Sequence, residues 1–219
     1  MKPSILILFL FTSFSGFSQQ KLNPFLKQQM DSVMVLDQKY REQLTLLMEP
    51  GKRDSVAKNL SLSIAEAMNH YSALQNRLDS ANVVFVERVF KEYGYPGKTL
   101  IGEPANKSAW NIIQHSSKID QYLPIIKKAA DHKELPYYLY AMMIDKDLTN
   151  HHKEQIYGTQ AVCQRLLKNG KDIGCYIWPI KDPDQVNARR KKAGFEQTVE
   201  QNAARLGVKY KVVKIEEVK

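Results

Sequence analysis

The chain has 219 residues, with 32 Lys and Arg against 23 Asp and Glu, for a formal charge of +9 at pH 7. That length suits one domain with a real core. No internal repeat, low-complexity segment, metal-ligand spacing, nucleotide-binding loop or nucleophile elbow is present, so no motif names a reaction.

Lys2, the unbroken apolar run from Ile5 to Phe11 and the mostly small, polar Ser13 to Ser18 follow the order of a secretory signal peptide. Gly16 and Ser18 are the small residues before an expected cut ahead of Gln19. A spanning helix needs about 20 apolar residues, so a membrane span is not expected. The expected product is exported and soluble, periplasmic or secreted. Removing residues 1–18 takes away one charge, and 9 − 1 leaves +8. In an exported chain that excess points to anionic surfaces, acidic ligands or solubility, and not to nucleic acid. Much of it falls on Arg189-Arg190-Lys191-Lys192 and on Lys209, Lys211 and Lys214, a run that reads as a solvated face.

Leu22, Leu26, Val33, Leu36, Tyr40, Leu44 and Leu47 recur at mostly three- and four-residue steps and predict one long helix ending near Pro50-Gly51. Asp54 can cap a second, with a stripe from Val56 to Leu78 that continues or restarts near Asp79 and stops at Gly94-Tyr95-Pro96-Gly97. The two form an antiparallel hairpin, placed at residues 19–80, ahead of a helical core with a small sheet over 81–219. Further helices are predicted at Pro104 to Ser116, Ile119 to Asp131 and Leu135 to Asp147.

The period then changes. Ile156 to Gln164 and Ile173 to Ile180 are strand candidates about an Asn169-Gly170 turn. A two-residue turn there sets Cys163 opposite Tyr176, one residue from Cys175, and a bulge or longer loop would bring the sulfurs opposite each other. A disulfide and two buried thiols both remain open. Asp182-Pro183-Asp184-Gln185 predicts a helix start capped by Asp182, with Gly194 closing the helix, and Val208 to Val218 alternates as an edge strand would. The fold expected is mainly α (α+β), a helical bundle or long N-terminal hairpin with a small antiparallel β-sheet near the C-terminus.

Asp37-Gln38 with Arg41, Gly94-Tyr95-Pro96-Gly97 with Gly102, Trp110 with Gln114-His115, Tyr157-Gly158-Thr159-Gln160, and Arg189-Arg190 with Gly194 occur in that order. The ordered set, from Asp37 to Gly194, resembles the bacterial family catalogued as domain of unknown function 6624. That resemblance implies no reaction. In many relatives an acidic residue soon follows the Gln-His pair and Asp-Arg stands in place of Asp145-Lys146; here Ser116-Ser117 follows the pair.

On a helix Trp110 and Gln114 share one face, while Asn111 and His115 share another, which leaves Gln114 and His115 at the borders of the apolar arc. His115 is a candidate general base or a histidine hydrogen-bonded at the core's edge. Gln114 and Gln160 can bind an amide or carboxylate, or satisfy backbone groups. Tyr157 and Thr159 either face a ligand or lock a strand to the helices, and Gly158 permits a close approach. Asp145, in an apolar neighbourhood, wants a cation from among Arg41, Lys146, Arg189 and Arg190. His151-His152 lacks a third ligand, so no metal and no cofactor are expected.

Two functions fit. One is a module that binds a small molecule or a partner in a polar pocket, through Trp110, Gln114, Thr159, Gln160 and Arg190. The other is an enzyme in which His115, Tyr157 and Asp145 perform acid-base chemistry on a small polar or peptide-like substrate. Both require these residues to converge. Nothing in the sequence sets an oligomeric state.

Overall fold

The computed structural model describes residues 22–163, 170, 172 and 174–218, so the expected signal peptide and all of the expected turn except Gly170 lie outside the described residues. Among the described residues there are nine helices and one two-stranded antiparallel sheet near the C-terminus, a mainly α architecture. No helix among them is long and apolar enough to cross a membrane.

Helix α1 (Pro24–Met48) starts where Asn23 accepts the Leu26 N–H at 2.9 Å and Pro24 takes the first helical position. The second predicted helix is two. α2 (Arg53–Asn59) ends before Ser61, whose φ of 55° is left-handed, and α3 (Ile64–Tyr93) restarts from a capping box. In that box Ser63 Oγ accepts from the Glu66 amide at 3.2 Å while Glu66 accepts from the Ser63 amide at 2.8 Å. No second break occurs near Asp79. α1 and α3 run antiparallel, with Tyr40 against Tyr71 toward one end and Phe25 and Leu26 beside Val89 and Tyr93 at the other.

α4 (Lys98–Ile101) is too short to show a period and was not expected. Residues 105–107 form a single 3-10 turn, so α5 (Ser108–Gln114) begins later than predicted. α6 (Ile119–Asp131) has the expected bounds, and α7 (Tyr137–Asn150) follows Pro136. Leu26, Met30, Val86, Phe90, Ile101, Trp110, Ile113, Ile126, Leu139 and Met143 belong to one buried cluster, which makes α1 and α3–α7 a bundle about a single core.

The strands are shorter than predicted. β1 (Ala161–Val162) pairs with β2 (Tyr176–Ile177) in the register Ala161 to Ile177 and Val162 to Tyr176. One more step sets Cys163 across from Cys175, not from Tyr176, and the two are disulfide-bonded with Cα atoms 4.0 Å apart. Upstream, the buried Gln155 makes a backbone bridge to Ile180 and adds its side-chain amide to the pairing. It donates to the Gln160 and Trp178 carbonyls at 3.0 and 2.7 Å and accepts the Gln160 N–H at 2.9 Å.

The Asp182 side chain caps no helix. Its φ is 44°, and residues 183–185 make a 3-10 turn before α8 (Val186–Lys192). An unpredicted α9 (Val199–Arg205) starts at a Thr198–Gln201 capping box. The strand expected over 208–218 is absent: residues 215–217 form a 3-10 turn, and the buried positions are Val208, Val213 and Val218. A spacing of five suits neither a strand nor a helix. Val208 packs with Ile177, Ile180, Val186 and Val199, whereas Val213 and Val218 pack with Tyr176 and Trp178.

Candidate functional site

α7 sorts the candidate residues by helical phase. Tyr138, Met142 and Asp145 lie on one face, at steps of four and three, and Leu139, Met143 and Lys146 on the next.

Asp145 is fully buried and anchors the turn that leads into β1. Its Oδ1 accepts the Ile156 and Tyr157 amides at 2.7 and 3.0 Å; its Oδ2 accepts the Thr159 amide and hydroxyl, both at 3.0 Å, and Tyr157 again at 3.1 Å. The expected cation is not what compensates it. Among the described residues no ion pair reaches Asp145, because three N–H groups and a hydroxyl occupy both oxygens. Burial pushes its carboxyl up, and the Tyr157, Ile156 and Thr159 donors oppose the shift.

Arg190 closes the turn from the other side. It is buried, donates from Nε to the Gln197 carbonyl and from Nη1 to the Tyr157 carbonyl, both at 2.8 Å, and its guanidinium carbon lies 4.3 Å from the Phe195 ring centre. Gly158 completes the turn with φ +68°. A Cβ there would stand 2.6 Å from Val199 Cγ2 and 2.7 Å from Ile180 Cδ1, so the close approach read from the sequence is made by neighbouring side chains. The Tyr157 phenol is half-buried and pushed up to about 12, by burial first and then by Tyr137 and Asp145. Near neutral pH it is therefore a hydrogen-bonding hydroxyl and no base. Gln160 donates to the Thr159 hydroxyl at 3.0 Å.

A cavity of about 390 Å³ opens beside this turn, with Thr159 and Arg190 in its wall. Tyr138 and Met142 of α7 and Phe195 supply apolar surface, while Asn202 and Arg205 of α9 supply polar groups. Asn202 is itself fixed, donating to the Gly158 carbonyl at 3.1 Å.

The second cluster surrounds His115, which caps the C-terminus of α5. Its Nδ1 lies 3.2 Å from Oδ2 of Asp37, a residue only 1 % exposed, while the imidazole itself keeps 22 % of its surface. Gln38 donates to the same carboxylate at 2.6 Å, and Arg41 Nε approaches it at 3.6 Å while pairing with Asp79 at 2.6 Å. Gln75 ties α3 in by donating to the Asp37 carbonyl and to Asp79, at 3.0 and 2.8 Å. Burial alone would raise the Asp37 carboxyl; His115 and then Arg41 outweigh it and hold it below the ordinary carboxylate value. Lys146 donates to the Gln114 carbonyl, and burial, then the charge of Arg41, lower its ammonium pKa. Gln114 donates to Asn111 at 3.2 Å.

Asp37 was not among the candidate site residues. The signal for it was available: an acid four residues after Val33 falls on the apolar stripe of α1, where it needs a partner. The partner stands 78 residues on, out of reach of any local pattern.

Trp110 belongs to the core. It is 5 % exposed and donates to the Leu139 carbonyl at 2.7 Å, tying α5 to α7. Among the described residues no hydrogen bond or ion pair joins His115 or Gln114 to Tyr157, Asp145, Thr159, Gln160 or Arg190. His115 and Gln114 take their partners from Asp37, Asn111 and Lys146, and the 157–160 turn takes its own from Asp145, Gln155 and Arg190. Asp145 and Lys146 are consecutive and point about 100° apart, so α7 sends one to each.

A family model described as a family of unknown function, DUF6624, matches residues 24–212, a stretch that contains every motif from Asp37 to Gly194. No curated protein and no solved structure matches the chain.

Proposed function

Because the chain belongs to DUF6624, whose function is not established, its role has to come from its own surfaces, and we propose that it binds a small ligand in the cavity between α7, the 157–160 turn and α9. One observation carries this reading. A space of about 390 Å³ combines apolar Tyr138 and Phe195 with fixed polar groups on Thr159, Arg190 and Asn202, the composition of a ligand pocket. In a thermal-shift screen of periplasmic metabolites and wall fragments, a ligand at 100 times its Kd adds about 2.7 kcal/mol, or roughly 5–10 °C for a chain of this size. Met142→Trp, which fills the cavity, should abolish the shift. A screen without hits, or hits that shift Met142→Trp equally, would reject the site.

The mature chain works outside the cytoplasm on this reading. The amino-terminal pattern and the Cys163–Cys175 bridge support export, since such bridges persist in oxidising compartments. Mass spectrometry of the exported protein should find an N-terminus at or within a few residues of Gln19, and an intact Met1 in the cytoplasm would reject it.

A second reading, acid-base catalysis, is favoured by one contact, the Asp37 carboxylate against Nδ1 of a partly exposed His115. Such a carboxylate fixes the tautomer and makes Nε2 the proton acceptor, with the Gln114 amide nitrogen 3.5 Å from it.

A further inference from the structure

The cavity holds two guanidinium groups with unequal freedom. Arg190 is immobilised: Nε and Nη1 are committed to the Gln197 and Tyr157 carbonyls, and its face lies on Phe195. Its Nη2 has no hydrogen-bond partner among the described residues. Arg205, exposed in the same wall, commits Nη2 to Asn202 Oδ1 at 2.9 Å, and its Nε and Nη1 have no hydrogen-bond partner among the described residues. Two planar forks with spare donors facing one space match the geometry of a carboxylate.

The charge balance points the same way. The lining carries Arg190 and Arg205 against Glu196, a formal 2 − 1 = +1. Asp145 and Glu200 act on Arg190 from a distance, but the oxygens of Asp145 are consumed by the turn and one Glu200 oxygen accepts from Asn187. Burial lowers the Arg190 pKa, Asp145 and then Glu200 oppose the shift, and Arg205 adds a smaller lowering as a like charge does. An anion between them would relieve that repulsion. Beside the cations stands an aromatic wall, in which Phe195 meets Tyr138 at 6.0 Å and Tyr157 at 5.8 Å between ring centres.

Resting on the ligand-binding reading above, we propose that the ligand is an organic acid, its carboxylate held between Arg190 and Arg205 and its apolar body against Tyr138, Met142 and Phe195. A bare anion would leave the apolar wall unused, and a neutral apolar ligand would leave the spare donors of Arg190 and Arg205 unpaired.

Calorimetric titration of the mature chain with N-acetylphenylalanine, its neutral amide and inorganic phosphate tests this. The acid should bind at least about tenfold more tightly than the amide, because a charge-assisted contact to arginine is lost in the latter. Arg205→Ala should remove that advantage by weakening the acid far more than the amide, and Arg205→Lys should restore part of it. Arg205 is exposed, so neither variant threatens the fold. Equal binding of acid and amide overturns the carboxylate assignment and leaves the cavity reading intact. Binding of neither probe, or insensitivity to Arg205→Ala, overturns it as well. Phosphate binding as tight as the acid overturns the role of the apolar wall.

Discussion

Asp145→Ala should lower stability by about 4 kcal/mol or more, because a buried donor stripped of its acceptor costs roughly 1–3 kcal/mol and this change strips several at once. The donors are the Ile156, Tyr157 and Thr159 amides and the Thr159 hydroxyl, held by a carboxylate with no exposed surface. Domains are stable by only about 5–15 kcal/mol, so the variant stands near the edge of folding. Urea denaturation should show a midpoint well below wild type. Amide exchange should rise first at Ile156, Tyr157 and Thr159, since the anchor fails there before the bundle does. A loss under about 1 kcal/mol would show that water replaces the carboxylate and that the turn does not depend on it.

The second large effect is expected at Asp37. Removing the carboxylate leaves His115 and Arg41 facing a neutral side chain, and loss of one partner of a fully buried pair costs about 3–5 kcal/mol. His115 and Arg41 keep 22 % and 26 % of their surface, so Asp37→Asn should cost less, about 2–3 kcal/mol at pH 7. The pH dependence has a definite sign. A carboxyl held below its ordinary value contributes stability that is present above about pH 4 and is lost as pH falls through the folded value. The gap between wild type and Asp37→Asn should therefore close in acid, below about pH 4. A gap that widens there would reject the ion-paired assignment. His115→Gln then separates the two functions. In an enzyme it leaves folding nearly intact and removes activity by a factor of about 10² to 10⁴; in a binding module it lowers melting and changes no turnover.

Much of the helical frame was legible because its signals are local. α1 announces itself by its apolar stripe from Leu22 to Leu47, and α6 by Ile119 to Asp131. The break between α2 and α3 and the whole of α9 were also written locally, in Ser63-x-x-Glu66 and Thr198-x-x-Gln201. The first was masked because Leu60 and Ile64 keep the apolar spacing across the gap. The 155–160 turn was read as strand because its hydrogen bonds go to the side chains of Asp145 and Gln155, and no period records a side chain standing in for a ladder. The residue types of both clusters were visible in the sequence, but the partners each would take were not. Grouping depends on which way each points from α7, and Asp37, the partner of His115, comes from α1.

The phase of α7 has a consequence for how this chain can vary. Within 14 residues the helix presents Leu139 and Lys146 to α5, Tyr138 and Met142 to the cavity, and Asp145 to the turn. Substitutions at these places act one at a time. Deleting a single residue between Met142 and Asp145 would instead rotate everything downstream by about 100°, carrying the Lys146 ammonium toward amides that require an anion and the Asp147 carboxylate toward the Gln114 carbonyl. Length in α7 is thus more tightly constrained than composition, whereas added residues beyond Asn150 fall after the last of these contacts and leave the setting of the helix untouched.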